Sequence, residues 1–182
     1  MEITDAYAHC GLRKYRPFAD LDRAMRAAGV QRAVLVQHHG EFGNGYLESI
    51  VRREPDRFRA VFLVDTDSPG AMDAITFWAG RGWFRGIRFR AGSIAGRRPL
   101  WDWAATLGLH IVADRPVDAV LEPLAQFAAD HPRSQLIVTH LGYAEGGGPW
   151  PLASRPNVLV QISGMHSHGQ APYDGLRPWV ER

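Results

Sequence analysis

A short apolar, β-branched run, a turn and then a longer helical stretch follow one another repeatedly along the 182 residues. This alternation restricts the fold more than any other feature, because apolar strands alternating with helices bury themselves as a parallel sheet covered by the helices. Strand candidates are Glu2–His9, Arg32–His38, Phe58–Asp65, Phe84–Arg90, Leu109–Asp114, Gln135–His140 and Asn157–Ser163. They recur at intervals of roughly 25 residues, the length of a βα unit. Helix candidates between them are Ala19–Ala28, Tyr46–Arg53, Pro69–Arg81, Leu100–Leu107, Val117–Asp130 and Tyr173–Glu181, while 144–155 is Gly/Pro-rich.

Local punctuation supports these boundaries. Phe18 to Asp20 opens the first helix, Ser68-Pro69 reads as an N-cap followed by proline at the first helical position, and Gly29 and Gly108 stand where helices stop. Periodicity does not choose between an open sheet and a closed barrel. The polar residues do: almost every strand ends in an ionisable or hydroxyl group, namely His9, His38, Asp65, Arg88 with Arg90, Asp114, His140 and Ser163. A doubly wound sheet would concentrate its site at one switch point and carry a glycine-rich phosphate loop after strand 1, and neither is evident. A TIM-type (β/α) barrel explains the ring of strand ends. Seven units are visible and the eighth is missing, so the expectation is a single barrel domain over 1–182 whose last unit lies beyond Arg182, or whose open edge is filled by another copy in a homo-oligomer.

With 46% hydrophobic and 22% charged residues the chain can bury a full core. Apolar runs such as Ala33-Val34-Leu35-Val36 are too short to cross a bilayer, and the amino terminus lacks the layout of a signal peptide. A cytoplasmic protein without membrane contact is expected, which the single cysteine, Cys10, fits. The net charge is +2, and Lys14 is the only lysine beside many dispersed arginines. That pattern argues against nucleic acid and for a small anionic substrate, whose carboxylate matches the guanidinium fork.

The segment Asp5-Ala6-Tyr7-Ala8-His9-Cys10-Gly11 ends the first strand, and period two places Asp5, Tyr7 and His9 on one face. Arg88 and Arg90 alternate with Ile87 and Phe89, which predicts both arginines on one inward face of strand 4. Buried there, they need an anionic partner: a substrate carboxylate, or an internal pair with Asp65 or Asp114. His9 and His140 are candidate metal ligands or donors to a carbonyl oxygen that gains charge, against the reading of solvated loop histidines. Asp114 activates water at the pocket rim or is a capping or surface carboxylate beside Arg115, and Asp65 caps the following helix. His38 supplies a substrate contact or lies in a loop; Tyr7 donates its phenol to substrate or is an ordinary buried tyrosine. His166-Ser167-His168 has i, i+2 spacing compatible with a shared metal but reads first as a loop. The tryptophans read as core, with Trp150, between prolines, as a pocket wall.

These residues resemble the amidohydrolase superfamily, in which an Asp precedes a His-x-His pair on strand 1. The resemblance extends through Ala28-Gly29-Val30-Gln31-Arg32-Ala33-Val34-Leu35-Val36-Gln37-His38, Pro55-Asp56-Arg57-Phe58, Phe84-Arg85-Gly86-Ile87-Arg88-Phe89, Leu100-Trp101 with Leu107-Gly108-Leu109, Val138-Thr139-His140-Leu141-Gly142 and Asn157-Val158-Leu159-Val160-Gln161-Ile162-Ser163-Gly164. The ordered set is similar to the amidohydrolase-related branch of sugar-lactone and pyrone-dicarboxylate lactonases and zinc-dependent decarboxylases, closest to its metal-independent or metal-optional lactonases. The resemblance implies a hydrolase with its pocket at the strand carboxyl ends and one divalent metal, zinc or manganese, or none. Tyr7 stands where the first His is expected, Asp114 stands near the strand-5 His of metal-binding members, and the strand-8 Asp is absent; only His9 and His140 match metal-ligand positions. Position and chemistry together make His9, His140 and Asp114 the expected catalytic residues and Tyr7, His38, Arg88 and Arg90 the expected substrate contacts. The rivals are a metal-dependent decarboxylase or hydrolase and a degenerate, non-catalytic barrel that binds or assembles.

Overall fold

A computed structural model describes residues 2–143, 152, 154–164, 169, 170 and 172–174. The expected His166-Ser167-His168 pair, Trp150, and nearly all of the Tyr173–Glu181 helix lie outside the described residues. The strands are β1 (Thr4–Ala8), β2 (Arg32–Val36), β3 (Phe58–Phe62), β4 (Phe84–Arg90), β5 (His110–Asp114), β6 (Leu136–Val138) and β7 (Val158–Val160). The α-helices are α1 (Phe18–Ala27), α2 (Gly45–Arg53), α3 (Ala71–Gly80), α4 (Ile94–Thr106) and α5 (Leu121–Asp130). The strands lie in chain order, β1-β2-β3-β4-β5-β6-β7. Parallel strands in chain order, alternating with helices, are the TIM-type (β/α) arrangement, and the described residues hold seven of its strands. Among the described residues no helix is long and apolar enough to cross a membrane.

The chain packs as two compact units, Met1–Arg88 with Thr106–Leu109 and Phe89–Ala105 with His110–Arg182. In the first, β2 pairs with β3 in unbroken register from Ala33↔Phe58 to Val36↔Val61. β1 pairs with β2 through Asp5↔Ala33 and then Ala8↔Leu35, a one-residue slip that inserts a bulge between Asp5 and Ala8. The fully buried Leu35, Leu47, Ile50, Phe58, Phe62 and Ile75 belong to this unit. α1 ends as its sequence predicts: Gly29 takes φ +68, and the Val30 amide reaches back to the Met25 carbonyl.

In the second unit β6 lies between β5 and β7, from Ile111↔Leu136 to Ala113↔Val138 and from Leu136↔Val158 to Val138↔Val160. Trp101, fully buried, stacks on Phe89 at 4.8 Å and meets Phe127 edge-on at 5.6 Å, so the tryptophan expected in the core is there. The Asn157 amide donates to the carbonyls of Ala128, His131 and Ser134, pinning the entry of β7 to the end of α5.

Several boundaries differ from expectation. α3 starts at Ala71 with Gly70 as its cap, because the Ser68 hydroxyl accepts from the Gly70 amide in a turn that holds Pro69 outside the helix. α4 begins near Ile94 and kinks at Arg97, two residues before Pro99, whose ring cannot follow a regular turn. The segment read as one helix from Val117 divides into a 3₁₀ turn at Asp118–Val120 and α5.

Candidate active site

Five of the candidates stand at or just past strand carboxyl ends: His9 after β1, His38 after β2, Asp114 as the last residue of β5, His140 after β6, and Ser163 after β7. Two groups form, one in each unit.

In the first unit the rings of Tyr7 and His9 meet edge-on at 5.0 Å, as the i, i+2 spacing predicts. The Asp5 carboxylate turns back to accept from the Tyr7 amide at 2.9 Å, so it shapes the local backbone. His9 Nδ1 donates to the Val36 carbonyl at 2.6 Å, which puts the lone pair on Nε2. Tyr15, which strand periodicity does not reveal, is 4.7 Å from the His9 ring and 4.9 Å from the His38 ring and bridges the two imidazoles. His38 is 5% exposed, so it is a fixed histidine and not a solvated loop residue. Its Nε2 would stand 3.3 Å from a Cβ at Gly11, a tight approach that a bare backbone admits. His9 and Tyr15 open onto a cavity of about 610 Å³ that also meets Arg16, Asp20 and Leu21 of the α1 approach.

Arg88 is 6% exposed; its guanidinium donates to the Gln37 carbonyl at 2.9 Å and lies 5.6 Å from the Tyr7 ring centre. Its inward orientation agrees with the sequence. Arg90 does not share it. The chain turns into a 3₁₀ segment at Ala91–Ser93, the alternation stops, and Arg90 is exposed with its carbonyl accepting from the Ser93 hydroxyl. The expectation of two inward arginines is corrected to one.

In the second unit Asp114 is 1% exposed, which replaces the surface or capping role by a buried carboxylate. The Thr139 hydroxyl donates to its Oδ1 at 3.2 Å, and His140 Nε2 stands 3.8 Å from the same oxygen. On its other edge His140 Nδ1 is 2.9 Å from Ser163 Oγ. The backbone here is strained: Arg115, His140 and Leu141 have φ of +53, +54 and +51, in the left-handed region where a side chain costs about 1 kcal/mol or more per residue. Asp65, by contrast, is exposed and accepts from the Asp67 amide ahead of α3.

The donor set decides how far a metal fits. Among the described residues no three His, Cys, Asp or Glu side chains gather as a ligand group. His140 and Asp114 form a pair, one ligand short of a catalytic zinc site. The described residues therefore do not complete the zinc or manganese set.

This chain belongs to the amidohydrolase family, whose family model, described as Amidohydrolase, matches residues 2–182. Family membership supports a hydrolase. No curated protein matches the sequence. Among solved structures, an uncharacterized TIM-barrel protein from Bordetella bronchiseptica superposes with a TM-score of 0.72 at 14% identity, over 98% of this chain and 81% of that one. A probable 2-pyrone-4,6-dicarboxylic acid hydrolase from Acinetobacter baumannii, with citric acid bound, gives 0.68 at 14% identity over 94% and 74%. An amidohydrolase from Burkholderia multivorans with bound zinc gives 0.68 at 19% identity over 98% and 76%. These likenesses establish the fold.

Proposed function

We propose that the protein hydrolyses a cyclic ester carrying a carboxylate, of the sugar-lactone or dicarboxylate-lactone class. The observation that carries this reading is the His140–Asp114 pair at neighbouring strand ends, an imidazole nitrogen facing a buried carboxylate at 3.8 Å. Water attacks the lactone carbonyl and gives its proton to His140 Nε2, and the carboxylate of Asp114 stabilises the imidazolium so formed. The Thr139 hydroxyl keeps Asp114 oriented for that task. Carbonyl carbon and water oxygen form the new bond, and the ring C–O bond breaks with the proton passing to the departing alkoxide. In the first unit, Arg88 is assigned to a substrate carboxylate, with Tyr7 and His38 as further substrate contacts, and His9, whose Nε2 carries the lone pair, accepts from a substrate hydroxyl. The probable pyrone-dicarboxylate hydrolase among the solved structures supports an anionic lactone without identifying it.

The test is a turnover screen of lactones with the His140→Ala variant as control. Ring opening by the wild type, with a loss of about a hundredfold or more in kcat for the variant, is expected. Equal activity would remove His140 from the mechanism. A metal-dependent hydrolase or decarboxylase is the second reading, favoured by the Nδ1–H bond of His9 to Val36, an arrangement that suits a ligating Nε2. Metal analysis separates the two: stoichiometric zinc or manganese, lost in His9→Ala, would replace the first reading by the second.

A further inference from the structure

We propose that Ser163 and Gly164 are positioning residues that hold His140 in one tautomer, with the hydrogen on Nδ1 and the lone pair on Nε2, the nitrogen that faces Asp114. The inference deepens the reading above and rests on His140 as the base.

Three constraints converge on the ring. The first is steric. Gly164 has φ +61, and a Cβ built on it would lie 2.6 Å from His140 Nδ1 and 3.0 Å from Cγ, so the imidazole packs directly on the peptide at 164. Any side chain there would have to displace the ring as well as adopt a left-handed backbone.

The second constraint is the proton inventory. Ser163 Oγ is 2.9 Å from His140 Nδ1 and 3.4 Å from Gln161 Oε1, to which the hydroxyl donates. A serine hydroxyl has one hydrogen. With that hydrogen directed at Gln161, the contact to the imidazole requires Nδ1–H as donor, which leaves Nε2 as the acceptor.

The third constraint fixes where Ser163 itself can be. Beyond the last paired residues of β6 and β7, the Gln161 amide donates to the Val138 carbonyl at 2.8 Å and the Leu141 amide donates to the Gln161 carbonyl at 3.0 Å. These two bonds bracket His140 in sequence and tie the tip of β7 to the strained turn at the tip of β6. The tautomer follows from this relay and not from Asp114, because 3.8 Å is too long for a direct hydrogen bond between Nε2 and Oδ1.

Full-length protein labelled with ¹⁵N-histidine, compared with His140→Ala for assignment, reports the tautomer by imidazole NMR without any substrate. The expected spectrum has a protonated Nδ1 and an Nε2 resonance in the unprotonated range. Ser163→Ala should mix the tautomers and lower kcat at least about tenfold with KM within about twofold, and Ser163→Thr, which restores a hydroxyl, should recover both. Gly164→Ala should shift the His140 resonances and lower kcat likewise. A wild-type spectrum with the hydrogen on Nε2 would overturn the proposal even if every variant failed to fold. So would an unchanged tautomer in Ser163→Ala, or covalent capture of Ser163 by a serine-directed organophosphate, which would make it a nucleophile. Retained turnover in His140→Ala sinks the proposed base, whereas the spectrum alone decides the tautomer.

Discussion

Burial sets what the Cys10 side chain can do. It sits one residue past His9, is 1% exposed, and burial pushes its thiol from 9.0 up to about 11. The reactive species is the thiolate, so a rise of this size leaves about a hundredth of the ordinary thiolate at pH 8. Labelling of the native protein by a disulfide reagent at pH 8 should be at least about a hundredfold slower than labelling in urea; equal rates would contradict the burial. At this scale the sequence was legible where strand period governs: Tyr7 and His9 share a face and Arg88 points inward because alternate side chains must. It was not legible past the strand ends. Arg90 escapes the alternation as the last residue of β4, where the chain enters the 3₁₀ turn, and Tyr15 lies in a non-repetitive stretch before α1, where no period says which side it faces.

Between elements, the link of α2 to β3 depends on one amide. Asn44, 0% exposed at the start of α2, accepts from the Leu63 amide at 3.1 Å and donates to the Leu63 carbonyl at 2.9 Å, so it continues the backbone pattern beyond the end of β3 as a neighbouring strand would. Asn44→Ala leaves both Leu63 groups buried without these bonds and is expected to cost about 3 kcal/mol, read as a lower urea midpoint. A loss below about 0.5 kcal/mol would mean that the loop reorganises around the gap. Nothing in Phe42-Gly43-Asn44-Gly45 distinguishes this role from an ordinary turn asparagine, because the partner is 19 residues away. Strands were read too long for a related reason: residues such as Gln37, His38, Leu63 and Val64 remain buried after the ladder stops, and an apolar run does not mark where pairing ends. Helix stops with glycine in the left-handed region, at Gly29 and Gly108, were the most legible boundaries.

Stability belongs to the whole molecule, and its acid limit has an identifiable contributor. Burial pushes the Asp22 carboxyl up, but hydrogen bonds from Arg57 at 2.7 Å and Arg26 at 2.9 Å outweigh it and hold the group below its ordinary 3.8. A carboxyl depressed on folding stabilises fully above its unfolded value, and that contribution disappears as pH falls below about 4. Asp22→Asn should therefore lose about 1 kcal/mol at pH 7 and differ little from wild type near pH 2, measured by urea unfolding across that range. A constant difference at all pH values would refute the ionic origin. The fold class was legible at this scale because repetition needs no detail: strand, turn and helix recur until a barrel-type sheet is the arrangement that buries them. The contact between Gly164 and the His140 ring has one more implication, for descent rather than chemistry. A lineage that acquires any side chain at 164 must surrender the imidazole's present placement, so the two positions are heritable only as a couple, and drift at one closes the route by which the other could be kept.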